Sequence, residues 1–207
     1  MEKRELAKKA LDILKLTLGV LLLVIVYAMT SSFISQASSL ESPIIGFFVG
    51  GIASFLIIFL FIWPPIIIYK KGQRILEIIF SFFAPLVKTA PYTLPIYTIF
   101  IFIIYVLLFL FKGTQEVLHY AIFFIGFSLA LHIVFTGAIL RPRTLELARI
   151  ANYVFGFCII YILNMLLCAW FFSLMKINFD FGTFFTNTLN AANDIYTVSF
   201  KQLFSIN

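Results

Sequence analysis

Five apolar stretches, at about 16–34, 44–63, 93–111, 117–140 and 150–175, take up most of a chain of 207 residues. A helix rises about 1.5 Å per residue, so about 20 residues cross a hydrocarbon layer roughly 30 Å thick. Little is left over for a separate water-soluble domain. Apolar residues make up 62% and charged residues 12% of the chain, against about 45–50% and 25% in soluble domains. Such a composition excludes a soluble enzyme, a disordered tail and a disulfide-stapled secreted module. The expectation is an all-α integral membrane protein: a bundle of five transmembrane helices set in a lipid bilayer.

The segments between the spans carry the topology. Residues 1–15 hold Lys3, Arg4, Lys8, Lys9 and Lys15, with Leu6, Ala10 and Leu14 at four-residue steps, as in a short amphipathic helix leading into the first span. An alternative for this start is a signal peptide, with Ser35-Gln36-Ala37 as the small-residue cleavage site. Pro64-Pro65 stops the second span, because two adjacent prolines remove two helix donors and add steric clash. The apolar run at 75–87 is too short to cross and is flanked by Arg74 and Lys88, so it is expected as an interfacial or re-entrant segment. With the N-terminus inside, inner segments hold all the basic residues except Lys112, Lys176 and Lys201. Positive residues stay cytoplasmic, which predicts a multi-pass protein of the cell membrane (inner or plasma), N-terminus cytoplasmic and C-terminus outside. Trp63, Tyr120, Tyr153 and Trp170 fall near span ends, as an aromatic belt requires.

The tail, 176–207, places Phe185, Leu189, Ala192, Tyr196, Phe200 and Leu203 on one helical face, with asparagines largely elsewhere. It is expected as an amphipathic helix on the outer side, either binding a partner or the membrane surface, or packing back on its own bundle.

The middles of the spans contain no Asp, Glu, Lys or Arg, which weighs against ion-coupled transport and voltage sensing. The polar groups that could form a pocket sit on the last two spans. Ser128, His132 and Thr136 are spaced by four on one stripe, and Tyr161, Asn164 and Cys168 form a comparable stripe. Consecutive antiparallel spans with a short loop are expected to pack together, which would join the stripes into a polar pocket for a proton or ligand, or into interhelical hydrogen bonds. Gly126-Phe127-Ser128-Leu129-Ala130 is one residue short of a nucleophile elbow, but Leu129 stands where intramembrane serine proteases of the rhomboid type have glycine, and mid-helix offers no sharp turn.

No metal motif, cofactor motif or nucleic-acid face is present: His119 and His132 are about 20 Å apart along one helix, and Cys158 and Cys168 about 15 Å, too far for an ion or a disulfide. Gly46, Gly50 and Ser54 make a small-residue line for close helix packing, and Gly126 with Ala130 a second. The break from Pro64 to Pro95, with Glu77, Ser81 and Lys88, is a further candidate site. The function expected from this pattern is a non-catalytic accessory, assembly or anchoring subunit, its partners being other membrane subunits or further copies of itself. The alternative is a small permease or channel built on the polar stripe.

Overall fold

The computed structural model describes residues 2–83, 90–112, 114–175 and 177–204, and their regular structure is all helix, with no strand among them. In chain order the helices are α1 (Glu2–Ser38), α2 (Ser42–Ile57), α3 (Ile66–Ile79), α4 (Ile96–Lys112), α5 (Gln115–Leu140), α6 (Leu147–Leu174) and α7 (Phe181–Phe204). Four stretches, Arg4–Ser38, Ser42–Ile62, Gln115–Leu140 and Leu147–Leu174, are long and apolar enough to cross a membrane; Ile96–Phe111 is apolar but shorter. In the most apolar windows of the first two, only 17% and 22% of residues are buried inside the protein. The remaining large side chains, among them Tyr27, Leu60 and Phe61, face outward. A soluble monomer rarely exposes so continuous an apolar surface.

The prolines shape the middle of the chain. Past Ile57, α2 widens into a π-helical turn, Ile58–Ile62, and Trp63 is extended before Pro64 and Pro65. Because proline suits a helix entrance but not its interior, α3 begins directly after Pro65. The expected 75–87 segment is thereby corrected. The helix starts nine residues earlier and takes in Tyr69 to Arg74, while Pro85 and Lys88 lie outside the described residues. At its far side, Pro95 keeps α4 from starting before Ile96, three residues later than expected.

Helix pairing also departs from expectation. The most extensive contacts are α2 with α5 and α1 with α6, whereas the consecutive helices α5 and α6 touch only sparsely. Both close pairs are parallel. Along α1 and α6, Lys15 Nζ donates to Asn152 Oδ1 at 2.9 Å, Cys158 Sγ to the Gly19 carbonyl at 3.8 Å, and Thr30 and Tyr161 share a hydroxyl bond of 2.8 Å. Along α2 and α5, Phe48 meets Gly126, and Phe55 and Phe59 meet Phe135.

The glycine line 46–50–54 does not carry this packing. Gly46 has open space around it, and Gly50 meets only the Phe123 ring. Instead a methyl group on Gly51 would overlap the Phe123 carbonyl, and one on Gly126 would overlap the Phe48 carbonyl. One residue is 100° of helix, and α2 turns its Gly51 face, not its Gly50 face, to α5.

The tail does not stand clear of the bundle. Asn178 adopts a left-handed backbone, φ 58°, a conformation asparagine tolerates better than most residues, and the chain reverses there. α7 then runs antiparallel along α1. Gln36 holds Asp180 at one end, and the Tyr196 hydroxyl donates to the Leu21 carbonyl at 2.6 Å near the other. The packed face is Phe184, Thr188 and Ala192; Phe185, Leu189, Phe200 and Leu203 of the expected apolar face are exposed.

Candidate functional site

Ser128, His132 and Thr136 do lie on one buried stripe of α5, but they do not meet Tyr161 or Asn164. Each is bonded elsewhere. Ser128 Oγ shares a 2.9 Å bond with Thr98 Oγ1 of α4 and donates to the Ile125 carbonyl at 3.2 Å. Thr136 Oγ1 bonds the Tyr69 hydroxyl of α3 at 2.7 Å, and Gln73 Nε2 donates to that same hydroxyl at 2.9 Å. His132 Nε2 donates to the Tyr92 carbonyl at 3.2 Å, so that nitrogen carries the ring hydrogen. Serine and imidazole are therefore not paired as nucleophile and base.

The common element is the broken chain ahead of α4. A helix would satisfy the Tyr92 carbonyl with the Ile96 N–H, but Ile96 turns to Leu94 instead, and Pro95 has no N–H to offer Pro91. Two side chains step in: His132 from α5, and Asn164 from α6. Asn164 Nδ2 donates to the Thr93 carbonyl at 3.0 Å and to the Ile160 carbonyl at 2.7 Å. Asn164 is wholly buried, and its Oδ1 has no partner among the described residues. Around Tyr69, Gln73, Pro91, Ser128 and His132 there is a cavity of about 10 Å³, the room of about one water on the same measure. This is a junction that ties α3, α4, α5 and α6 together. Thr98, Tyr69 and Gln73 were not foreseen; Pro95 was the available signal, since a helix broken there frees carbonyls that then need donors.

Tyr161 belongs to a different place. Its bond to Thr30 forms part of the wall of an apolar cleft of about 450 Å³ between the two parallel helix pairs, lined by Ile34, Phe48, Ile52, Leu129, Ile133 and Met165 among others. The cleft exists because α5 and α6 stand apart.

The third feature is the outward face of α7. Thr183, Asn187, Asn190, Asp194, Thr197 and Lys201 are all exposed and recur at alternating steps of four and three. They form one stripe, turned away from the face that packs on α1. Given the two anchors at Gln36 and Leu21, the stripe runs beside the apolar length of α1. Asp194 makes no ion pair or hydrogen bond among the described residues.

The entrance to α7 is tied by Asp180 and Gln36. Asp180 Oδ2 accepts the Thr183 N–H at 2.6 Å as an N-cap. The Gln36 amide donates to the Asp180 carbonyl at 3.0 Å and accepts its N–H at 3.1 Å. The Thr183 hydrogen bond holds the Asp180 carboxyl below its ordinary range. A depressed folded value means the cap contributes in full above the usual carboxylate range and is lost as pH falls from there through the lower folded value. Hydrogen exchange in the first turn of α7 should therefore quicken on acidification, and Asp180→Asn should flatten that response. Gln36→Ala should raise exchange at Phe184 to Thr188 by about three- to tenfold, from one or two lost hydrogen bonds.

Among the described residues no three His, Cys, Asp or Glu side chains gather as metal ligands. No protein-family model, curated protein or solved structure matches the chain.

Proposed function

We propose that the chain is a multi-pass integral membrane protein that serves as a non-catalytic accessory or assembly subunit, with α7 as the helix that receives its partner. The observation that carries this is the uncovered polar stripe of α7 beside the apolar length of α1. Where α1 crosses the hydrocarbon, α7 crosses with it, and its stripe cannot face lipid cheaply: an aspartate at the middle of a spanning helix costs about 2.5–3.5 kcal/mol on insertion scales. A partner helix that offers hydrogen-bonding groups, with a lysine or arginine at the depth of Asp194, removes that cost. The interior polar groups support the same reading, since Ser128, His132, Thr136 and Asn164 are engaged in joining helices.

In this reading the N-terminus is cytoplasmic and α7 returns the chain toward the same side. The C-terminus then lies there too, in place of the outside location expected from five spans, and Lys201 joins the basic end.

The test is the mass and composition of the particle extracted in mild detergent through an N-terminal tag. A stoichiometric second protein is expected. Leucine at Asn187, Asn190 and Asp194 together should leave the chain inserted and folded but strip that protein away. An unchanged complex would remove α7 as the docking face.

The second reading, a small channel, draws on the same stripe: several copies of α7 around water would satisfy it equally. Cysteines at Asn187 and Asn190 separate the two, since a membrane-impermeant maleimide labels them only in the water-lined case.

A further inference from the structure

We infer that the inner end of α5 and α6 holds the phosphate of an anionic membrane lipid. A hollow of about 470 Å³ opens there, lined by Leu140, Arg141, Arg143, Arg149, Asn152 and Tyr153 among others. Lys15 reaches its edge from α1 through the bond to Asn152. Between Leu140 and Tyr153 the single acid is Glu146, bound to Arg149 Nε at 3.1 Å. The guanidinium groups of Arg141 and Arg143 make no ion pair or hydrogen bond among the described residues, and both residues are exposed. An anion entering the hollow thus meets two unpaired guanidiniums, with a third cation, Arg149, only partly neutralised. Planar guanidiniums match phosphate oxygens in bidentate geometry.

The surroundings argue for a lipid and not a free ion. The hollow sits where α5 ends and α6 begins, at the end of the bundle that also holds α3 with Lys70, Lys71 and Arg74. Further along the same two helices the surface turns apolar. Phe157 lies against Gly137, and about 12 Å from Tyr153 the cleft beside Val134 and Tyr161 begins. Charge at the surface followed by apolar space at depth is the order of a phospholipid. Basic pockets between spanning helices on the cytoplasmic side bind anionic head groups in this way.

Native mass spectrometry of the full chain, titrated with dioleoyl phosphatidylglycerol or dioleoyl phosphatidylcholine, tests the site. The expected result is at least tenfold tighter retention of the phosphatidylglycerol. Arg141→Gln with Arg143→Gln should abolish that preference. Lys8→Gln with Lys9→Gln removes equal charge from exposed positions on α1 and should change retention by less than twofold. Equal binding of the two lipids, or an equal loss in both double variants, would overturn the site in favour of a diffuse surface field. Displacement of the lipid by millimolar inorganic phosphate would overturn its assignment to a lipid.

Discussion

Valine in place of Gly51 or Gly126 should separate α2 from α5 and yield a protein that inserts but does not hold its fold in mild detergent. The reason is the reciprocity of the contact. Each glycine sits against a main-chain carbonyl of the opposite helix, Phe123 for Gly51 and Phe48 for Gly126. A carbonyl inside a helix cannot swing aside as the end of a side chain can, so the helices must move apart. Overpacking of this kind costs about 1–3 kcal/mol. Here the movement also loosens the edge-to-face ring contacts of Phe55 with Phe127 and Phe135. Gly46→Val is the matched control, because open space surrounds that residue. Thermal unfolding in one detergent, read for all three variants, checks the claim. If Gly46→Val is as harmful as Gly51→Val, the close approach is not where the structure places it.

The second large effect is expected at Asn164. Its amide nitrogen feeds two carbonyls, Thr93 and Ile160, in a site with no exposure. Asn164→Leu leaves the Thr93 carbonyl without this donor while Ile160 keeps its place inside α6. Interhelical hydrogen bonds of this type average about 0.6 kcal/mol and reach about 1.7. Asn164→Asp should be worse, although it is nearly isosteric. It sets carboxylate oxygens against two carbonyls, and a buried charge without a partner costs about 3–5 kcal/mol. The expected order of stability is Asn, then Leu, then Asp. An aspartate variant as stable as wild type would mean that Asn164 does not bridge α6 to the chain before α4. His132→Ala should be milder than either, since it removes one bond, to Tyr92, near a water-sized space that can take over the carbonyl.

Much of the architecture is legible in the residues, and the exceptions have physical causes. Apolar length determines a helix directly, so 117–140 and 150–175 coincide with α5 and α6 to within about three residues. Pro64-Pro65 marks the end of the second apolar helix as expected. Which helix packs on which is another matter. A short loop between α5 and α6 favours their pairing, yet shape decides it: Gly19 lets α1 approach Phe155 of α6, and Gly51 with Gly126 brings α2 to α5. Local spacing is enough to set Ser128, His132 and Thr136 on one stripe, because period is a property of one helix. Their partners come from other helices and from the backbone freed near Pro95, and no periodicity within α5 contains that information. The tail was legible as amphipathic, but its sequence alone does not say whether its apolar side meets a membrane surface or α1.

Pairing α1 with α6 and α7 has a consequence in time. Lys15 waits for Asn152, 137 residues later, and Leu21 for Tyr196, 175 residues later. At roughly 5–20 residues per second of synthesis, α1 is made on the order of ten seconds before either neighbour exists. During that interval the Thr30 hydroxyl is already half satisfied, because its Oγ1 also bonds the Val26 carbonyl one turn back at 2.7 Å. α1 thus carries its own provisional partner until Tyr161 arrives.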